Sequence, residues 1–390
     1  MLPSKNSTKR PSLNECFALM ILTIGITSLL IIRGSLFDYD WGDYSWFINP
    51  WITQYRGMTF IEGLGTKVGN YNPPYMYILN IIARTNVTEL YLVKSVSVIF
   101  DFLLAFFAMK IVSLKTESLN MRVLVFLLVL AIPTVVLNSS MWGQCDSIYS
   151  AFALGAFYFG LKGSSKSAYA FIALAVSFKA QAVFLLPMIP VYVFTRKIRY
   201  QDCFMFFAVY LATLLPAILA GMPIRTALLT YVDQANYFSQ LNMNLPNIWR
   251  FVDHVDYSSF RTAGLYVAGL AVLGLLYFTF INRARLIQTL DFVRLAYLFA
   301  IIMPFLLPKM HDRYYFLADV LSVVVFFYDK RRWYVPVVTV FCSYIAYAFF
   351  LMHGITLIDY RLAALALLTV IIIVLRDYVM SLYPDVKEIK

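Results

Sequence analysis

Trp142-Gly-Gln-Cys-Asp-Ser-Ile-Tyr149 sets Trp142, Gln144 and Asp146 at the mouth of a hydrophobic helix. An ionisable side chain at the centre of a membrane helix costs roughly 2.5–3.5 kcal/mol on insertion scales, and less near an end. Asp146 is therefore a functional candidate, provided that the surrounding chain belongs in a membrane.

Composition supports that setting. The chain has 390 residues, 61% of them apolar and 14% charged, where a soluble domain carries about 25% charged residues. Runs such as Leu362–Leu375 and Val267–Ile281 predict membrane helices. Phe17–Ile32 reads as the first span and not as a signal peptide, because no small-residue cleavage site follows. The expected fold is an all-α polytopic membrane protein, one transmembrane domain over 1–390, with no repeat and no low-complexity stretch.

The net charge of +11 invites a nucleic-acid partner, but loops on the cytoplasmic side of membrane proteins are rich in Lys and Arg, so the bilayer is the partner expected. Cys16, Cys145, Cys203 and Cys342 are scattered without a Cys-x-x-Cys; neither a metal site nor a disulfide frame is indicated.

Spans are expected near 15–34, 91–112, 121–137, 146–161, 167–178, 182–195, 202–220, 263–281, 289–307, 314–328, 333–351 and 359–376. These are about 12 transmembrane helices with both termini in the cytoplasm. The inner loops then hold Lys5, Lys9 and Arg10; Lys110, Lys115 and Arg122; Lys162 and Lys166; Arg196, Lys197 and Arg199; Arg283 and Arg285; and Lys330, Arg331 and Arg332. The longer outer loops carry fewer basic residues, as the positive-inside rule requires. Segments 45–56 and 73–84 lie on the outer surface as interfacial helices, since counting 73–84 as a span would reverse that charge balance. The organisation is a module over 15–220 with its first outer loop at 35–90, a long outer loop at 221–262, and C-terminal helices over 263–390.

The outer loops gather polar chemistry. The first has Asp38, Asp40, Asp43 and Asn70-Tyr71-Asn72-Pro73-Pro74. The second has Trp142, Gln144 and Asp146, and the third Phe178, Lys179 and Gln181. The fourth has Asn242-Met-Asn-Leu-Pro-Asn-Ile-Trp249, and the fifth Pro308-Lys-Met-His-Asp-Arg-Tyr-Tyr315. Carboxylates and cations on one membrane face suit a site that deprotonates a hydroxyl and holds an anionic leaving group. Blander readings stand beside this one. The three aspartates form a solvated acidic loop; Asp146 is a helix N-terminal acid; Lys179 snorkels to headgroups; His311 alone is structural. Lys94 and Asp101, on one span, are expected to form a buried ion pair. Asn86-Val-Thr88 and Asn138-Ser-Ser140 match the glycosylation sequon, a short and often fortuitous pattern.

At these residues the chain resembles the GT-C superfamily of integral membrane glycosyltransferases, in particular bacterial relatives of the second mannosyltransferase of GPI-anchor assembly. It is also similar to the dolichyl-phosphate-glucose-dependent glucosyltransferases. The resemblance runs in order from about 38 to 320. Trp41-Gly-Asp-Tyr44 with Phe47 and Pro50-Trp51 resembles the first-loop aspartate motif, and Asn70-Tyr-Asn-Pro-Pro-Tyr75 the Tyr-Pro-Pro element. Trp142-Gly-Gln-Cys-Asp146, then Phe178-Lys179 with Gln181 and Pro187, match the next two. Leu307-Pro-Lys-Met-His-Asp-Arg-Tyr314 matches the last, a His-acid-base signature. Two departures are an inserted Asn72 in the Tyr-Pro-Pro element and Ser45 where the glucosyltransferases carry a second acid.

The resemblance implies one-step, inverting transfer of a hexose, mannose first and glucose next, from a polyprenyl-phosphate donor. The acceptor would be an envelope glycan or glycolipid on the outer face of a bacterial cell membrane. Asp43 is the expected general base. Lys179, His311 and Arg313 are expected to hold the donor phosphate. Asp40, Tyr71, Trp142, Gln144, Asp146, Gln181 and Trp249 are expected to contact the sugar or acceptor, with Asp146 and Gln144 orienting either sugar hydroxyls or the lysine. The polyprenyl chain is expected under loop 221–262, which would order over the donor as lids do. No cofactor is expected, although a divalent ion at Asp38, Asp40 and Asp43 stays open. Two other classes remain. A transporter or flippase for a lipid-linked sugar predicts repeats between halves, and none is seen. A non-catalytic assembly factor has no use for a carboxylate beside cations.

Overall fold

The computed structural model describes residues 12–235, 239–252 and 256–383; Lys5, Lys9 and Arg10 lie outside them. The fold is helical, with one two-stranded exception, and each of the twelve expected spans coincides with a helix or a broken helix. Seven helices are long and apolar enough to cross a membrane: Leu13–Gly34, Glu89–Val112, Tyr200–Leu219, Tyr257–Ile281, Thr289–Leu306, Lys330–Leu351 and Tyr360–Leu382. An eighth crossing arises if Leu119–Ala131 and Pro133–Met141 count as one span bent by 56°. Pro133 supplies the break, because it cannot donate the helical hydrogen bond and disfavours α backbone at Ile132.

The other four, Asp146–Leu161, Ser165–Phe178, Ala180–Phe194 and Phe316–Tyr328, fall short of the ~20 residues that span a bilayer. Length therefore accounts for seven or eight crossings, against twelve expected. Two of the short helices, Asp146–Leu161 and Phe316–Tyr328, are buried nearly all round, as helices enclosed by other helices are. With Glu89–Val112 and Thr289–Leu306 they form the centre of the core.

The basic loops meet at one end of the bundle. Lys115 Nζ donates to the Tyr328 carbonyl, Ser165 Oγ and Arg199 exchange hydrogen bonds, and Arg285 reaches the Leu382 carbonyl. The Asp43, Asp146, Lys179 and Arg313 segments meet at the other end.

The expected Lys94–Asp101 pair does not form. Seven residues along a helix put them about 10 Å apart. Lys94 Nζ instead donates to the carbonyls of Leu36, Phe37 and Tyr39, at 3.0, 2.8 and 2.6 Å. Asp101 pairs with Arg33 at 3.0 Å and accepts from Ser139 Oγ at 2.6 Å. This pair fastens the first helix, whose apolar side chains are otherwise largely exposed, to the bundle.

The described parts of segment 221–262 include helix Ile224–Ala235, strand β1 (Asn242–Met243) and a 3-10 turn, Ile248–Phe251, and several of their residues line the cavity. Strand β1 runs parallel to β2 (Met310–His311), pairing Met243 with His311.

Candidate active site

Two Trp-Gly pairs shape the site. Gly42 (φ +84°) and Gly143 (φ +69°) adopt left-handed backbone, which side chains disfavour. A Cβ on Gly42 would also lie 2.9 Å from the Phe350 ring. Each glycine lies beside a π-helical turn, Tyr44–Ile48 and Leu137–Met141. Such turns are uncommon and recur at functional sites. The two turns bring Asp43 and Gln144 together, 101 positions apart in the chain.

Gln144 Nε2 donates to Asp43 Oδ2 at 2.6 Å, and Arg313 Nη1 donates to the same oxygen at 3.2 Å. Arg313 Nε lies 3.3 Å from Asp146 Oδ2, and its guanidinium stands 5.2 Å over the Trp142 ring. Asp146 is buried. It takes Lys179 Nζ at 2.5 Å and Asn138 Nδ2 at 2.9 Å, and Asn138 also donates to Tyr347 Oη at 2.9 Å. Lys179 lies 5.6 Å over Tyr71, whose neighbour Asn72 is tied to the Ser177 carbonyl at 3.0 Å.

Asp43 faces a cavity of about 550 Å³. Trp46, Phe47, Trp51 and Tyr71 line it on the first-loop side. Gln144, Lys179, Gln181, His311, Asp312 and Arg313 also reach it, as do Tyr231, Asn244, Arg261 and Leu265 from the later segments. Aromatic rings beside a carboxylate and cations suit a carbohydrate, which presents apolar faces and hydroxyl edges.

Burial, reinforced by repulsion from Arg313 and Lys179, pulls the His311 imidazole down to about 3. At neutral pH it is uncharged and offers one N–H. Burial also pushes the Asp312 carboxyl up to about 8; Arg313 opposes this, and Asp43 and Asp146 add to it. The Arg313 contact, at 3.9 Å, is too long to offset burial, and Asp312 Oδ1 has no hydrogen-bond partner among the described residues.

Five expected positions need correction, two of them in one of two expected roles. Asp40 is exposed, accepts the Ser45 hydroxyl through its carbonyl and does not line the cavity. Trp142, 1% exposed, is stacked on Phe350 at 4.2 Å, so neither indole face is available to a sugar. Trp249 is buried too, with Nε1 donating to the Leu306 carbonyl at 2.9 Å. Asp146 is 1% exposed and does not line the cavity, so it does not reach a sugar; it orients Lys179 instead, the second of its two expected roles. His311 is neutral, and therefore not the cation one of its expected roles required. The three first-loop aspartates also diverge: Asp38 accepts from Tyr91, Asp40 faces solvent and Asp43 faces the cavity. Among the described residues no cluster of three His, Cys, Asp or Glu is placed to hold a metal. Asn138, first residue of a sequon, is fully buried in this network.

The role of the Asn242–Trp249 segment had no spacing signal. Asn247 Nδ2 donates to the Pro304 carbonyl at 3.2 Å, and its Oδ1 accepts from Asn242 at 2.5 Å and the Trp249 N–H at 3.1 Å. Together with Trp249 it satisfies carbonyls left over at the end of helix Thr289–Leu306. Tyr315 Oη donates to the Pro246 carbonyl at 3.0 Å. The segment thus clamps both ends of the turn carrying His311, Asp312 and Arg313.

No family model matches the chain, and no curated protein matches it.

Proposed function

We propose that this protein is an integral membrane glycosyltransferase. It moves a hexose, mannose in preference to glucose, from a polyprenyl-phosphate donor to an envelope glycan or glycolipid. The observation that carries this reading is Asp43: a cavity-facing carboxylate oriented by one guanidinium and one amide, in a cavity walled by aromatic rings. With twelve crossings proposed, the short helices enclosed by the long ones, the positive-inside rule favours the basic loops in the cytoplasm and the cavity on the outer face.

In the proposed step the acceptor hydroxyl oxygen attacks the anomeric carbon while Asp43 takes its proton. The bond from that carbon to the phosphate oxygen breaks, and its electron pair leaves with the polyprenyl phosphate. Attack opposite to departure inverts the anomeric configuration. Gln144 and Arg313 hold Asp43 in position; Asp146, Lys179 and Asn138 hold Arg313. The neutral His311 donates a hydrogen bond, and Lys179 and Arg313 offset the charges of Asp146 and Asp43, so that the floor of the site does not repel the departing phosphate. Trp46, Phe47, Trp51 and Tyr71 take over the sugar contacts that Trp142 and Trp249 cannot make, with Gln181 among the polar groups reaching sugar hydroxyls.

The test is transfer of radiolabelled hexose from polyprenyl-phosphate mannose or glucose into an envelope-lipid extract, by purified protein in liposomes, with Asp43→Asn in parallel. Loss of a general base lowers the rate by about 10²–10⁴-fold, at unchanged protein level. Equal transfer by the variant removes Asp43 from the mechanism.

A further inference from the structure

Four Lys and Arg side chains line the cavity: Lys179, Arg261, Lys309 and Arg313. Lys179 and Arg313 are committed to Asp146 and Asp43, and Lys309 lies over the Tyr257 ring at 5.3 Å. Arg261 is half-buried and forms no hydrogen bond or ion pair with any described residue. An anion binding at Arg313 must compete with a carboxylate already there; at Arg261 it meets an undivided guanidinium, able to grip phosphate in a bidentate fork.

The geometry of displacement favours the same residue. Inversion needs the base and the departing phosphate on opposite sides of the anomeric carbon. Arg313, 3.2 Å from Asp43, is on the side of the base. Arg261 belongs to helix Tyr257–Ile281, which packs on Thr289–Leu306 and Met188–Phe194, so it reaches the cavity from a different element than the first loop that carries Asp43.

Access from the membrane favours Arg261 as well. Leu265, one helical turn beyond Arg261 and on the same face, lines the cavity yet is 48% exposed, and Val183 lines it while 39% exposed. Further along the helix Leu270, Leu273 and Tyr277 are exposed, as residues facing lipid tails are. A phosphate at Arg261 would leave its hydrocarbon chain running past Leu265 into the bilayer.

We propose that Arg261 is the direct anchor for the phosphate of an isoprenoid lipid, which reaches the cavity sideways from the membrane between Leu265 and Val183. This rests on the transfer reading and assigns its phosphate contact to a residue outside the motif set.

The experiment measures binding of a fluorescent isoprenyl phosphate to the full chain in nanodiscs. The uncharged isoprenol and inorganic phosphate serve as comparison ligands. Wild type binds the isoprenyl phosphate at least about tenfold more tightly than the alcohol, and inorganic phosphate competes poorly. Arg261→Gln loses that preference; Arg261→Lys keeps part of it, which a misfolded chain would not; Arg225→Gln, an exposed arginine outside the cavity, keeps all of it. Full preference in Arg261→Gln overturns the assignment and leaves the transfer reading standing. Competition by inorganic phosphate at equal strength overturns the lipid portal. A wild type that fails to distinguish phosphate from alcohol overturns both the portal and the donor class.

Discussion

At Arg313 three carboxylates surround one guanidinium: Asp43 at 3.2 Å, Asp146 at 3.3 Å and Asp312 at 3.9 Å. Were all three ionised beside only Arg313 and Lys179, the floor would be net negative and would repel an anionic donor. Asp312 relieves this by remaining protonated up to about pH 8. The sign follows: below that pH the group is neutral, and above it a new negative charge stands beside the cavity. Donor KM should therefore be flat from pH 6 to 7.5 and rise above pH 8, by up to about tenfold per unit. In Asp312→Asn the rise should vanish, as a pH series of initial rates would record; a rise of the same size in the variant would clear Asp312 of the effect. Asp43, Gln144, Lys179 and Arg313 were legible in the sequence because polar groups among apolar runs need a reason. Arg261 was not, since one arginine near a helix start looks like any interfacial cation. Trp142 and Trp249 were misassigned because an indole near a polar motif reads the same whether it faces a ligand or the core.

At the scale of elements, the twelve helical segments were legible from apolar runs. Whether the four short ones cross the membrane was not, because burial by neighbours relaxes the length rule. The Lys94–Asp101 pairing failed for the complementary reason: sequence separation places residues along one helix but not against another, and Arg33 lies 68 positions away. The clamp built by Asn242 and Asn247 belongs to the same class, being a contact between a loop and the end of a distant helix. Asn247→Ala would leave the Pro304 carbonyl and the Trp249 N–H without their partners, at a cost of about 1–3 kcal/mol. The expected outcome is a lower unfolding temperature and a transfer rate reduced by more than about tenfold, since small displacements of positioned groups are costly. An unchanged unfolding temperature would show that the clamp is not holding the 307–315 turn.

Across the whole molecule, long exposed helices enclose short buried ones, with basic loops at one end and a cavity at the other. Enclosure lets a carboxylate–guanidinium network sit within the thickness of a helical bundle, where its charges answer one another and not water. A transporter would use the same enclosure to move a lipid-linked sugar across the membrane unchanged; a transferase breaks its bond to phosphate. One measurement separates them: proteoliposomes receive polyprenyl-phosphate hexose labelled in the sugar, together with acceptor lipids. The fate of the label is followed by chromatography, and the anomeric configuration of any product by NMR. The proposed function predicts label in a new glycolipid or glycan, with configuration opposite to that of the donor. Label that crosses to the other leaflet still attached to its polyprenyl phosphate, with no new glycoside formed, would contradict it.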